Sequence, residues 1–192
     1  MDKFHDALSK SAQDFLTCVY PHIKDWFGQA ILKPVEAVTN NEMADMLDRL
    51  SGIDAWIIET KKGIRGLASR VQYDSTFETF TVRKERETGA RTEYEKLSYA
   101  IKHDCLYPFW FCHAYLQTNP KELTNVALCK TLDLVDIISN GKERIDYDIR
   151  QAGKFGCSTF YAVKWDRFQE LDKFIQRYSI FDENLKVMEL KS

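Results

Sequence analysis

Asp54 is the acidic residue whose surroundings most strongly indicate a chemical role. It lies within an apolar run rich in β-strand formers, Ile53 and residues 55–58, which is typical of a strand with little water on either face. A carboxylate in such a strand must be paired, protonated or bound to a metal ion, because burying it alone is costly. Asp54 is therefore the first candidate for a catalytic or metal-ligating residue.

A second, more polar strand is predicted to lie beside Asp54. Residues 60–63 are short and polar and end in glycine, the usual signal for a hairpin turn. The side chains that follow alternate between two faces, with Leu67, Ser69 and Val71 on one and Ala68, Arg70 and Gln72 on the other. Polar groups of the second strand can therefore face Asp54. We predict that residues 53–59 and 66–73 are antiparallel neighbours, in which Arg70 pairs with Asp54 or completes a catalytic site.

A basic corner follows the hairpin. Residues 77–86 are predicted to form a third strand, and Thr92 with Glu95 forms a capping box that opens a helix through Lys102. Between Lys61 and His103 there are ten Lys or Arg and six Asp or Glu, a local surplus of four positive charges in a chain of net charge -2. We predict that this corner receives phosphate at the positive helix end. The candidate groups are Arg83, Arg86, Arg91, Thr92 and Lys96.

The remaining elements give an α/β chain. Residues 3–19 and 42–50 have helical spacing, residues 106–116 indicate a buried strand, and residues 126–138 favour a helix. A strand over 159–164 is predicted to run into a helix that carries Trp165, Phe168, Leu171, Ile175 and Tyr178. We divide the chain into an N-terminal helical segment (1–34), an α/β core (35–180) and a C-terminal tail (181–192).

Composition indicates a soluble protein. The chain has 192 residues, of which 44% are hydrophobic and 29% charged, as in ordinary globular domains. Its five cysteines are scattered and form no Cys-x-x-Cys pair, and no signal-peptide pattern is present, which favours the reducing cytoplasm. The longest apolar run, residues 106–116, is too short to span a membrane.

The order helix, strand, turn, strand, strand, helix, strand over about residues 35–116, with Gly52, Ile53 and Asp54 before the hairpin, resembles the PD-(D/E)XK nuclease-like (restriction-endonuclease-like) superfamily. The resemblance implies a mixed central sheet flanked by helices, with an αβββαβ core. An N-terminal helical segment and a C-terminal strand and helix are added to that core.

The resemblance also implies a magnesium site. Asp54 matches the family aspartate, Glu42 stands for the glutamate of the preceding helix, and Arg70 or Gln72 takes the place of the lysine. Such oxygen ligands hold Mg²⁺, which polarises the phosphate that is cleaved. The acidic ligand expected on the second strand is missing, and Glu93 or Glu59 would have to replace it.

Three classes of function stay open. The first is a divalent-metal-dependent endonuclease, from a phage or mobile element. The second is a catalytically inactive nuclease-like domain that binds nucleic acid, DNA rather than RNA, through the basic corner. The third is a protein-interaction module, such as an inhibitor or a subunit.

Overall fold

The computed structural model describes residues 11–38, 42, 47, 51–59, 63–87, 89–141, 148–152 and 158–180. The strands within these residues are β1 Ile31–Pro34, β2 Ala55–Glu59, β3 Gly63–Tyr73, β4 Thr79–Arg86, β5 Trp110–Thr118, β6 Lys121–Lys130, β7 Asp148–Ala152, β8 Ser158–Lys164 and β9 Ile175–Ser179. The helices are α1 Tyr20–Ile23, α2 Val35–Val38, α3 Glu93–Lys102, α4 Thr131–Asn140 and α5 Asp166–Glu170. A π-helical turn, Phe15–Val19, precedes α1, and a 3₁₀ turn, Lys24–Phe27, follows it.

The central sheet is mixed. Its six strands lie in the order β1-β2-β3-β5-β6-β9. β3 and β5 are parallel, while the other neighbours are antiparallel. A parallel pair needs a long crossover, and here β4 and α3 supply it. Helices flank the sheet, so the predicted α/β class with a mixed central sheet is confirmed.

The hairpin around Asp54 is confirmed. β2 and β3 are antiparallel neighbours, with Ala55 opposite Leu67 and Glu59 opposite Gly63. Gly63 has a φ of +81°, a left-handed conformation that glycine adopts at little cost. The apolar run, the glycine and the alternation that follows were sufficient to predict this pair of strands.

The third predicted strand exists but lies outside the central sheet. β4 pairs with β8, and β8 pairs with β7, in a separate three-stranded sheet. The helix after it begins as predicted. Thr92 Oγ1 accepts a hydrogen bond from the Glu95 N–H at 3.3 Å, and the Thr92 N–H donates to Glu95 Oε2 at 2.8 Å, which completes the capping box.

Two predicted helices near the C-terminus were partly wrong. The stretch 126–138 divides between β6, which ends at Lys130, and α4, which begins at Thr131. β6 is buried on both faces, and a two-sided apolar strand has no alternation to distinguish it from a buried helix. The helix after β8 ends at Glu170, and Ile175–Ser179 is a strand paired with β6. Asp172, with a φ of +52°, interrupts the helical spacing between them.

The N-terminal helical segment covers one face of the central sheet. Residues 11–27 are helical, and the chain passes through Pro21 at the start of α1, where a missing N–H costs little. Residues 3–10 of the predicted first helix lie outside the described residues. So does the predicted helix 42–50, except for residues 42 and 47, which are helical. The predicted strand 106–116 is β5, which begins later, at Trp110.

The two faces of the central sheet have separate cores. One core, which includes Leu67, Cys112 and Val126, packs against Phe15, Val19, Ile23 and Phe27 of the N-terminal segment. The other packs Phe111, Tyr115 and Cys129 against α3, α4 and the second sheet. No helix within the described residues is both long enough and apolar enough to cross a membrane.

A buried carboxylate fastens the N-terminal segment to the sheet. Asp14 is only 4% exposed. Its Oδ2 accepts a hydrogen bond from the Tyr73 hydroxyl at 2.8 Å, and its Oδ1 forms an ion pair with the Lys121 Nζ. Burial, followed by the hydrogen bond and the charge of Asp14, raises the pKa of Tyr73, so the phenol keeps its proton and remains a donor. Asp14 therefore connects the segment to both β3 and β6.

We expect Asp14→Asn to lower the free energy of unfolding by about 1–3 kcal/mol, because it removes the charge that Lys121 and Tyr73 bind in a buried position. Urea unfolding followed by circular dichroism measures this change. Tyr73→Phe is the matched control, which removes one hydrogen bond and should cost about 1 kcal/mol. An Asp14→Asn protein as stable as the wild type would contradict this role for the carboxylate.

Candidate functional site

Asp54 lies immediately before β2 and is held by the neighbouring strand. Its Oδ2 accepts hydrogen bonds from the Ser69 N–H at 2.5 Å and from the Ser69 hydroxyl at 3.1 Å. Its own N–H donates to the Leu67 carbonyl oxygen at 2.9 Å. Asp54 is half-buried, and two donors from one residue stabilise its charge. Its observed partners give this carboxylate a structural role at the hairpin.

Arg70 forms its ion pair with Glu93 of α3. The Arg70 Nη1 to Glu93 Oε2 distance is 3.0 Å, and the same nitrogen donates to the Thr81 carbonyl oxygen of β4 at 3.4 Å. The guanidinium also lies over the Phe160 ring of β8, 4.8 Å from its centroid. Arg70 therefore reaches from the central sheet to the second sheet.

A β-bulge places Arg83 and Arg86 on the same face of the second sheet. Arg83 lies opposite Phe160 and Arg86 lies opposite Ser158, with one extra residue, Lys84, in β4 between them. In a regular strand, residues three apart point to opposite faces, but the extra residue reverses the alternation. Phe160 and Ser158 are two residues apart and share a face, so Arg83 and Arg86 share it as well.

Arg70, Arg83 and Arg86 together form what we call the arginine cluster. Arg83 lies over the Phe160 ring that Arg70 also contacts, 5.4 Å from its centroid. Burial, then the charges of Arg86 and Arg70, lower the pKa of Arg83 to about 10, while Glu93 opposes this shift. Arg83 is therefore still a cation at pH 7, held in a position where its charge is poorly compensated.

Within the described part of the chain, the side chains of Arg83 and Arg86 have no anionic partner. The Nε atoms of both are shielded from solvent and form no hydrogen bond, and neither side chain has an ion pair with any described residue. The Arg83 backbone N–H is the group that donates to Glu93, at 3.1 Å. An anion can therefore approach these guanidinium groups through their terminal nitrogens, where hydration or a ligand has to supply the missing contacts.

The other predicted phosphate-binding residues have local partners. Arg91 is exposed and its guanidinium lies 4.8 Å from the centroid of the Tyr99 ring. Thr92 is buried and is used by the capping box. The Lys96 N–H donates to the Thr92 carbonyl oxygen at 3.0 Å. Because the first turn of α3 carries its own acids, Glu93 and Glu95, the positive charge available to a ligand lies on the strands.

The described residues do not form the predicted magnesium site. Gln72 is half-buried on the same face of β3 as Arg70 but adds no carboxylate. Glu42 is exposed, Glu59 pairs with Arg65 at 3.6 Å, and Glu93 is bound by Arg70. No group of three His, Cys, Asp or Glu suited to a metal ion is found within the described ranges. Asp54 therefore belongs to no such group of three among the residues that the structure describes, and the magnesium site stays a prediction.

Comparison with family models, curated proteins and solved structures finds no match to this chain. The nuclease-like family therefore stays a prediction, and the candidate site is judged from its own residues. Sequence reasoning missed two of its features. The pairing of Phe160 with β4 is a contact between residues far apart in the sequence. The bulge at Lys84 has no sequence signal, because the charged residues around it fit a regular strand equally well.

We expect the arginines of the cluster to differ in their effect on stability. Arg70→Gln should lower the free energy of unfolding by about 1–3 kcal/mol, because it leaves the Glu93 carboxylate without its cation. Arg86→Gln should leave stability unchanged or raise it, because a charge without an anionic partner is removed. Thermal and urea unfolding of the two variants measure the difference. A loss of stability in Arg86→Gln equal to that in Arg70→Gln would show that Arg86 is structurally paired.

Proposed function

We propose that this protein binds nucleic acid through the arginine cluster. The observation that carries the proposal is the bulge in β4, which places Arg83 and Arg86 beside Arg70 on one face without anionic partners among the described residues. Bulges redirect side chains and are frequent next to functional sites. A backbone irregularity that brings like charges together has a cost, and binding an anion offsets it.

The chemistry of the cluster suits phosphate. A guanidinium presents its N–H donors in a planar fork that matches phosphate oxygens, and hydrogen bonds between charged groups are stronger than neutral ones. The local surplus of four positive charges between Lys61 and His103 adds long-range attraction for a polyanion. DNA is the first ligand to test, as the family resemblance implies.

Metal-dependent cleavage is the second candidate, and Asp54 is the residue that supports it. Its carboxylate is half-buried, at the start of a strand next to the hairpin. Its Oδ2 accepts from Ser69, and carboxylate oxygens are the ligands that Mg²⁺ prefers. The arginine cluster has more support from the described contacts, and for this reason binding without cleavage is the function that we propose.

We expect Arg83→Gln and Arg86→Gln to weaken binding of a labelled DNA duplex and of its single strand, irrespective of sequence. Each should also reduce the slope of log affinity against log salt concentration by about 0.7–0.9, the effect of one lost phosphate contact. Fluorescence anisotropy over a salt series measures both quantities. Arg65→Gln is the matched control, since it removes the same charge from β3 on the face opposite to that of Arg70.

The salt series also tests the proposal itself. Native protein that binds neither form of DNA at low salt would refute nucleic-acid binding. So would variants of Arg83 and Arg86 that bind as tightly as the native protein, with an unchanged salt slope. A loss of affinity in Arg65→Gln as large as in Arg86→Gln would show that general charge, and not the cluster, causes the binding.

A separate variant, Asp54→Asn, distinguishes binding from cleavage. We expect it to bind DNA at least as tightly as the native protein, because it removes a negative charge on a residue bound to Ser69, next to Arg70. Affinities measured with magnesium and with a chelator should agree. Cleavage of plasmid DNA by the native protein with Mg²⁺ or Mn²⁺, lost in Asp54→Asn while DNA binding is kept, would instead establish the nuclease function.

A further inference from the structure

Among the side chains that the structure describes, the arginine cluster has a surplus of two positive charges. It contains three guanidinium groups and one carboxylate, that of Glu93, which accepts from both Arg70 Nη1 and the Arg83 N–H. Glu85 does not reduce the surplus, because its partners Lys84 and Thr159 occupy it, at 3.2 and 3.1 Å. Among the described contacts, Glu93 is the carboxylate that faces the cluster.

The cluster is compact and does not form a track. Arg70 extends from β3 of the central sheet, while Arg83 extends from β4 of the second sheet, and both guanidinium groups lie over the same ring, that of Phe160. Arg86 reaches the same face across the bulge. Proteins that follow a nucleic-acid backbone spread their basic residues along a groove. Groups that converge on one ring favour a single anionic group.

A phosphomonoester has the charge that this arrangement requires. A phosphate attached through one oxygen carries about −1.5 to −2 at pH 7 and presents three acceptor oxygens, whereas each phosphate within a nucleic-acid strand carries a single negative charge. The surplus of two positive charges is therefore balanced by one terminal phosphate, but only half balanced by one internal phosphate.

We propose that the arginine cluster binds the terminal phosphate of a nucleic-acid strand. This inference rests on the proposed function and specifies which part of the ligand occupies the site. Arg83 and Arg86 donate to the phosphate oxygens, and Arg70, held by Glu93, contributes positive charge beside them. A free phosphate or a small phosphorylated molecule shares this chemistry, and the experiment separates these sources.

The test compares labelled single strands of one sequence that carry a 5′-phosphate, a 3′-phosphate or no terminal phosphate. We expect one of the phosphorylated strands to bind at least about tenfold more tightly than the unphosphorylated strand, equivalent to about 1.4 kcal/mol. Arg86→Gln should abolish this preference, and Arg86→Lys, which keeps the charge but loses the fork, should restore it in part. Arg65→Gln should retain it. Inorganic phosphate should compete with the phosphorylated strand.

The other possible outcomes distinguish failure of the terminal-phosphate inference from failure of nucleic-acid binding. Equal binding of all three strands, weakened by Arg86→Gln, would overturn the terminal-phosphate inference and leave nucleic-acid binding intact. Binding of inorganic phosphate or a mononucleotide, seen as a rise in melting temperature that Arg86→Gln removes, with no binding of any strand, would overturn both claims. A preference for a phosphorylated strand that persists in Arg86→Gln would place the terminal phosphate elsewhere on the protein.

Discussion

A single carboxylate oxygen joins three parts of the fold. Glu93 Oε2, on the first turn of α3, accepts a hydrogen bond from Arg70 of the central sheet and another from the backbone of Arg83 in the second sheet. Two of these parts, β4 and α3, form the crossover that connects the parallel strands β3 and β5. Because Glu93 neutralises the charge of Arg70, this side chain can lie half-buried between the central sheet and the second sheet. Glu93 binds the N–H of Arg83 and not its guanidinium, which has no ion pair with any residue that the structure describes.

Under the proposed function, the arginine cluster lowers the stability of the free protein and favours the binding of an anion. The core of the second sheet is apolar, with Phe80, Val82 and Val163 fully buried, so the strand does not need arginine at positions 83 and 86 to pack. The Nε atoms of both arginines are shielded from water and form no hydrogen bond, which is unfavourable in the free protein. In the proposed function, a bound anion offsets this unfavourable free energy, and the strands hold the guanidinium donors of Arg83 and Arg86 in place. Local destabilisation of this kind is common in preorganised binding sites.

The sequence predicted those parts of the protein that depend on local patterns. The hairpin follows from an apolar run, a glycine and an alternation, and the start of α3 follows from Thr92 and Glu95. Residues 126–130 of β6 were wrongly predicted to be helical, because strands covered on both faces lose the alternation that distinguishes them. The bulge at Lys84 and the contact of Arg70 with Phe160 could not be predicted, because both depend on strands far apart in the chain. The sequence identified Arg83 and Arg86 as candidates by their charge alone. That they share one face depends on the bulge in β4.

The position of Asp54 in the sequence fits two roles, a metal ligand and a structural hydrogen-bond acceptor. Its place beside a buried strand required a partner, and the structure supplies one in the N–H and hydroxyl of Ser69. These donors stabilise the charged carboxylate, so the burial argument that first indicated a metal ion is also answered by the hairpin. Arg70, the partner predicted across the hairpin, is bound by Glu93. The acid and the arginine thus belong to separate interactions, one that closes the hairpin and one that joins the sheets. The two proposed functions therefore depend on different residues, because Asp54 can be neutralised without removing any group of the arginine cluster.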